Sequence, residues 1–225
     1  MTTPPNLLND DGSASMATMF MMSHHGLRRD LARFERALDE REPLSEARAQ
    51  ALQEEWQSFH ATLHGRHQQE DKAMFPNMLK QNAGLAEHIE GLALQHRAID
   101  PLLAMGDAAF AELPRTANAL SLVRELRGLL EEHLATEEAQ LVPLIREAKA
   151  FPGPRSAAEA DMYAQGFAWS SHGIAPDILQ KVYALLPELL TSRLPAAQSA
   201  FDARCERVWG TAKAGASRTP IPDAS

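Results

Sequence analysis

The stretch HGRHQQEDKAMFP at residues 64–76 has a counterpart further along the chain, HLATEEAQLVP at residues 133–143. Both contain histidine before an acidic pair, and in both the acidic pair is followed by two residues, two apolar residues and a proline. On an amphipathic helix these histidine and glutamate side chains would lie beside the apolar face rather than in water. Polar groups are costly to bury without a partner. The two stretches therefore predict a helical fold whose interior holds polar side chains that share a binding partner.

An apolar repeat at spacings of three and four residues occurs in four segments, as expected for amphipathic helices. Short polar links separate the segments, and alternation typical of β-strands is almost absent. The expected helices run from Met16 to the break at REPLSE, from about Ser45 to Pro76, from about Leu85 to Met105, and from about Ala117 to Ala148. This pattern predicts an all-α fold, and an up-down four-helix bundle is the simplest arrangement.

The sequence FPGP at residues 151–154 marks the end of the bundle. We expect four parts along the chain. They are a disordered arm at 1–15, the bundle at 16–150, a C-terminal helical extension at 151–211, and a disordered tail at 212–225.

Composition excludes several classes of function. The net charge of −8 and the lack of Lys or Arg runs argue against nucleic acid or an anionic membrane as the main partner. Cys205 is the only cysteine, so an intrachain disulfide and a thiolate-rich metal site are excluded. No apolar stretch approaches the length of a membrane span, and the first residues lack a signal-peptide pattern. We therefore expect a cytoplasmic protein.

The four helices resemble two copies of one helix pair. His24 and His96 each stand early in the first helix of a pair, and Glu70 aligns with Glu137 when the prolines are superposed. In an antiparallel pair, the beginning of one helix and the end of the next lie at the same end of the bundle. Histidine and glutamate from all four helices are therefore expected to converge, as they do around metals in bundle cores.

The donor types indicate which metal suits this arrangement. His133 and Glu137 are one helical turn apart, so both can reach one ion or a pair of ions. Mixed imidazole and carboxylate ligation without sulfur suits iron or manganese better than structural zinc. A buried carboxylate is costly to ionise alone, and a divalent ion removes that cost.

The order of these motifs resembles the hemerythrin-like HHE cation-binding domains over roughly residues 20–150. HLATEEAQLVP is the most specific match, and HHGLRRDL at 24–31 agrees with the first-helix motif. The resemblance implies a four-helix bundle with a non-haem di-iron centre, in which glutamates bridge the irons and histidines cap them. It also implies an open position for dioxygen or a related small molecule. The ligands implied by position are His24, Glu70, His96, His133 and Glu137.

One position departs from the family pattern. Arg66 stands four residues before Glu70, where the family has a histidine. We predict that the neighbouring His67 substitutes as a ligand, with His64 as the alternative. If neither histidine reaches the site, the centre would hold one metal rather than two.

The first helix offers a second choice, because His25 follows His24 directly. An aliphatic residue stands three positions after both His24 and His96, and this matched spacing favours His24. The third helix lacks the HxxxH of oxygen-carrying hemerythrins, since Leu92 lies four residues before His96. This absence argues against a simple oxygen carrier.

These features predict a non-haem di-iron protein that binds or reduces dioxygen, peroxide or nitrogen oxides, with oxidase or oxygenase activity as one form and an unidentified electron donor. The alternative is a non-catalytic sensor or store of oxygen, nitric oxide or iron, whose helical extension binds a partner. Manganese could replace iron. In the extension, Tyr163 and His172 are candidates for supporting the centre. The sequence leaves the oligomeric state and the question of turnover open.

Overall fold

The computed structural model describes residues 6–40, 43–148, 151 and 153–210. These residues are mostly helical and contain no β-strand, which confirms the predicted all-α class. None of the helices in these ranges is long and apolar enough to cross a membrane. The predicted disordered tail at 212–225 and residues 1–5 of the predicted arm lie outside the described residues.

The described residues form ten α-helices and two short turns of other helix types. The helices are α1 (Met16–Leu38), α2 (Glu46–Gln69), α3 (Phe75–Gln81), α4 (Ala86–Ala111), α5 (Ala117–Gln140), α6 (Val142–Ile145), α7 (Ala157–Ser171), α8 (Pro176–Tyr183), α9 (Glu188–Thr191) and α10 (Leu194–Trp209). A π-helical turn, Glu70–Met74, connects α2 to α3, and a 3-10 turn, Ala83–Leu85, precedes α4.

The π turn interrupts the helix that the sequence predicts from Ser45 to Pro76. Ser45 caps α2, since its hydroxyl accepts the Arg48 N–H. Near the other end, Pro76 lacks an N–H, and its ring excludes the carbonyl four residues earlier. The Phe75 N–H then bonds the Glu70 carbonyl, five residues back, as in a π-helix.

The chain forms two compact units, each built from segments of several helices. The first unit is Met1–Arg29 with Glu138–Ser225, and the second is Asp30–Glu137. The predicted bundle-to-extension boundary at 150–151 therefore falls inside the first unit.

In the second unit, α2 and α4 run antiparallel. Trp56 of α2 stacks on Phe110 of α4 with ring centroids 4.5 Å apart, while His67 stacks on His96 at 4.0 Å. Residue numbers therefore rise along α2 as they fall along α4. Phe34 of α1 packs edge-on against Trp56 and Phe110, so these aromatic rings form the core below the histidines.

In the same unit, polar contacts join α5 to α1. Glu35 of α1 accepts hydrogen bonds from Arg124 and Arg127 of α5, and Arg124 also reaches Asp39. Asp39, just after α1, pairs with Arg124, whereas Glu35 also pairs with Arg127, so residue numbers rise along α1 as they fall along α5 and the two helices are antiparallel.

The first unit has its own apolar core. Leu7 and Leu8 are buried in it with Met22 of α1, Val142 of α6 and Val182 of α8. Residues 6–15, which the sequence assigns to a disordered arm, are thus ordered. They are held because these leucines remove apolar surface from water.

A buried arginine organises the end of α7 in this unit. Arg29 is fully buried and donates from Nη1 to the carbonyls of Trp169 (2.7 Å) and His172 (2.9 Å). A cation at a helix C-terminus is favourable because the last carbonyls lack helical partners. Its guanidinium also lies 5.9 Å from the Trp169 ring centroid, a cation–π contact.

Candidate metal centre

Three histidine rings meet where α2 ends, beside the middle of α4 and the second half of α5. His67, His96 and His133 are all almost fully buried. The His133 ring lies edge-on to both others, with centroids 4.8 Å from His96 and 5.4 Å from His67. Buried Glu70 and Glu137 complete the cluster.

The potential ligand atoms of this cluster are close enough to share an ion. One atom each from His67, His96 and His133 lie within 4.8 Å of one another. The same limit holds for one atom each of Glu70, His96, His133 and Glu137. The structure thus brings together five of the six residues predicted as ligands.

Each imidazole is oriented by an acceptor on its Nδ1 side. Carboxylate and amide oxygens accept hydrogen bonds, so Nδ1 carries the hydrogen and Nε2 keeps a lone pair. The pairs are His67 Nδ1 to Asp100 Oδ1 (2.6 Å), His96 Nδ1 to Asp71 Oδ1 (2.9 Å), and His133 Nδ1 to Gln95 Oε1 (3.0 Å). This is how proteins usually hold metal-binding histidines.

The Nε2 atoms of His67, His96 and His133 have no hydrogen-bond partner among the described residues, and neither does Glu70 Oε2. His96 Nε2 lies 3.5 Å from Glu70 Oε2, longer than a usual hydrogen bond. Buried acceptors without a donor are costly, and a group of them facing one another is costlier still. A cation among these atoms would satisfy them together, so the residues fit a metal.

Burial sets the protonation of the metal-free cluster. Burial lowers the pKa of His67 to about 4 and that of His133 to about 3, which keeps both rings neutral and able to bind metal. Burial also raises the pKa of Glu70 to about 8, although the Arg66 charge opposes the shift. A metal would displace that proton.

Arg66 is part of the cluster rather than of the surface. Its Nη2 lies 2.8 Å from Glu70 Oε1 and 3.0 Å from Glu137 Oε2. One guanidinium nitrogen therefore contacts both glutamates. Arg66 precedes Glu70 by four residues, the same offset by which His133 precedes Glu137.

The π turn lets two consecutive acids reach one histidine. Glu70 Oε2 faces Nε2 of His96, while Asp71 Oδ1 faces Nδ1 of the same ring. On a regular α-helix, consecutive side chains point about 100° apart. The wider π turn that begins at Glu70 brings the two carboxylates to opposite sides of one imidazole.

His24, the sixth predicted ligand, belongs to the first unit. It is fully buried, and its Nδ1 lies 2.9 Å from Glu138 Oε1. Burial raises the pKa of Glu138, but hydrogen bonds from His24 and Arg28 outweigh this and hold it below its usual value. The ligand role of His24 stays a prediction.

The two alternative ligands make other contacts. In the first unit, His25 Nε2 lies 3.0 Å from the His172 carbonyl oxygen and donates to it. His64 is 42 % exposed, and its Nδ1 lies 3.0 Å from Asp100 Oδ2. His67 rather than His64 thus offers a buried Nε2 to the cluster, and its role as a ligand stays a prediction.

The two supporting candidates lie in the first unit. The Tyr163 hydroxyl donates to Glu159 Oε1 at 3.2 Å, and His172 Nε2 lies 3.6 Å from Asp202 Oδ1. Their predicted support of the centre stays a prediction.

Sequence reasoning missed the acceptors behind the histidines, although the repeat contained a signal for two of them. Each repeated stretch has an acidic pair, and the second acid of each pair binds a histidine Nδ1. Asp71 holds His96 in the second unit, and Glu138 holds His24 in the first. No pattern pointed to Asp100, because it belongs to neither quoted stretch.

Comparison with known proteins agrees with this arrangement. A family model described as the Hemerythrin HHE cation binding domain matches residues 15–145. Neither a curated protein nor a solved structure matches the chain. The matched range contains every residue of the cluster.

Proposed function

Because the chain belongs to the hemerythrin HHE cation-binding family, we propose that it holds non-haem iron and uses it to bind or reduce dioxygen, peroxide or a nitrogen oxide. The proposal includes an up-down order of α1, α2, α4 and α5, which the antiparallel α1–α5 and α2–α4 pairs support. Manganese is the alternative ion, because it accepts the same donors.

One observation carries the proposal: three buried imidazole Nε2 atoms face a common space without a hydrogen-bond partner among the described residues. His67, His96 and His133 would supply nitrogen ligands, and Glu70 and Glu137 would supply oxygen. Iron held by such donors exchanges electrons with small oxidants.

The remaining residues prepare the site. The Nδ1 contacts fix the three rings and raise the basicity of Nε2. Near-complete burial excludes bulk water, which protects a reactive centre from side reactions. Arg66 offsets part of the carboxylate charge.

Metal binding is tested by elemental analysis after anaerobic loading with ferrous iron. The wild type and the control His88→Ala should retain iron, because His88 is exposed on α4, whereas His133→Ala should lose it. A wild-type chain that stays free of metal would overturn the proposal.

The iron-loaded protein then separates turnover from reversible binding. With ascorbate as the electron donor, an enzyme consumes peroxide or dioxygen in excess over protein, whereas a sensor or store only changes its absorption. If the wild type consumes peroxide or dioxygen no faster than His133→Ala does, the chain belongs to the sensor or store class.

A further inference from the structure

Arg66 occupies the place where the repeat would put a metal-binding histidine. In the second copy, His133 and Glu137 lie one turn apart and both join the cluster; in the first copy, the same offset joins Arg66 to Glu70. We infer that the Arg66 guanidinium takes the place of a second metal ion between Glu70 and Glu137, so that the centre binds a single ion. This inference rests on the proposed function, since it assigns the number of ions at the same site.

The geometry of the two glutamates carries the inference. The Arg66 nitrogen lies within hydrogen-bond distance of one oxygen on each, at 2.8 and 3.0 Å. A carboxylate that bridges two metals with one oxygen on each needs both oxygens for metal. Here one oxygen of each carboxylate already faces a cation that cannot be deprotonated in a protein.

The supply of donors agrees with one ion. One ligand atom each of Glu70, His96, His133 and Glu137 lie within 4.8 Å of one another, so these four residues can surround a single ion, and His67 lies within the same limit of His96 and His133. Two ions would have to divide three imidazoles and two carboxylates already shared with Arg66. His64, the other histidine considered for this copy, is directed to Asp100 and Gln68 instead.

The charge of the cluster agrees as well. When both glutamates are ionised, as ligands must be, they and the guanidinium leave one negative charge. Counting the buried groups alone, one divalent ion changes this to a single positive charge and two would leave three; the part-exposed carboxylates of Asp71 and Asp100, beside His96 and His67, offset two of those charges. Uncompensated charge in a buried site is strongly unfavourable.

The test is the iron content per chain after anaerobic ferrous loading, measured for the wild type, Arg66→His, Arg66→Lys and the control Arg124→His. Arg124 is half exposed on α5 and lies outside the cluster. We expect about one iron in the wild type, in Arg66→Lys and in the control, and about two in Arg66→His, which gives the first copy the HxxxE motif that the second copy already has.

Electron paramagnetic resonance of the oxidised samples gives a second readout that needs no variant. An isolated high-spin ferric ion gives a signal, whereas an oxygen-bridged ferric pair is silent through spin coupling. About two irons and a silent wild-type spectrum would overturn the inference and leave the proposed function standing. Folded Arg66→His that stays at one iron would also overturn it. A wild type without iron would instead overturn the proposed function.

Discussion

At the scale of single residues, the acids behind the histidines act through the imidazole rather than on the metal. Asp71 holds His96 by its Nδ1. In Asp71→Ala we expect iron affinity to fall by about 10- to 100-fold, because the ring loses its fixed orientation and part of its basicity. A competition titration against a chelator measures this. Glu87→Ala, at an exposed position of α4, is the control, and equal affinity in the two variants would contradict the role of Asp71.

The shifted pKa values of His67, His133 and Glu70 predict how the stability of the metal-free protein depends on pH. Between their folded pKa values, about 4 and about 3, and the ordinary 6.5, His67 and His133 bind protons only when unfolded, so stability rises with pH in that range. Glu70 keeps its proton in the folded state from 4.5 to about 8, so it makes stability fall with rising pH. Below pH 6.5 the two histidines have a larger effect than the one glutamate, so stability rises with pH. Above pH 6.5 only the glutamate still titrates, so stability falls.

The melting temperature of the metal-free protein is therefore expected to be highest near pH 6.5, the ordinary histidine pKa. Glu70→Gln removes the group responsible for the decrease above that pH, so its melting temperature should level off there. A wild-type melting temperature that keeps rising from pH 6.5 to about 8 would show that Glu70 is already ionised without metal.

How much of the site could be predicted depended on helix spacing. His133 with Glu137, and His96, followed from positions one turn apart and from the repeat. His67 had to be chosen over His64, and the choice depended on which ring is buried. The double contact of Arg66 could not be predicted, because it depends on the conformation of a long side chain and not on its position along the helix.

At the scale of helices, the π turn is the element that shapes the site. The Pro76→Ala variant gains a backbone N–H at residue 76, so a regular α-helix can continue through residues 70–74. Glu70 and Asp71 would then diverge, and we expect iron affinity to decrease about tenfold or more. Pro101→Ala is the matched control, since Pro101 lies exposed inside α4. Equal affinities would show that the turn is not needed.

The helices themselves were predicted well, but their interruptions were not. Apolar spacing of three and four residues identified α1, α2, α4 and α5. A π turn inserts one residue per turn, and this shift is too small to disturb such a pattern. The predicted fourth helix likewise ends at Gln140, with α6 following as a separate short helix near Pro143.

At the scale of the whole molecule, the two ends of the chain depend on each other. The core of the first unit joins Leu7 and Met22 to Ile178 and Val182. A chain truncated after residue 148 would expose these N-terminal apolar groups, so we expect it to aggregate or to elute as large oligomers in size-exclusion chromatography with light scattering. A monodisperse truncated chain that still binds iron would show that the extension is dispensable.

This dependence explains why the domain organisation was harder to predict than the fold class. Composition and the FPGP sequence indicate a boundary near residue 151, but compact units are defined by contacts. Residues 6–15 look polar and irregular, but Leu7 and Leu8 are buried against distant segments, and Arg146 donates hydrogen bonds to the carbonyls of Asn6 and Leu8. Contacts between residues so far apart along the chain produce no periodic pattern in the sequence.

The positions of the tryptophans have an optical consequence. Trp56, stacked on Phe110, belongs to the second unit, whereas Trp169 and Trp209 belong to the first. Replacing either set with phenylalanine leaves indole emission from one unit only. Fluorescence during denaturation would then report whether the two units lose their structure in one cooperative step or in two.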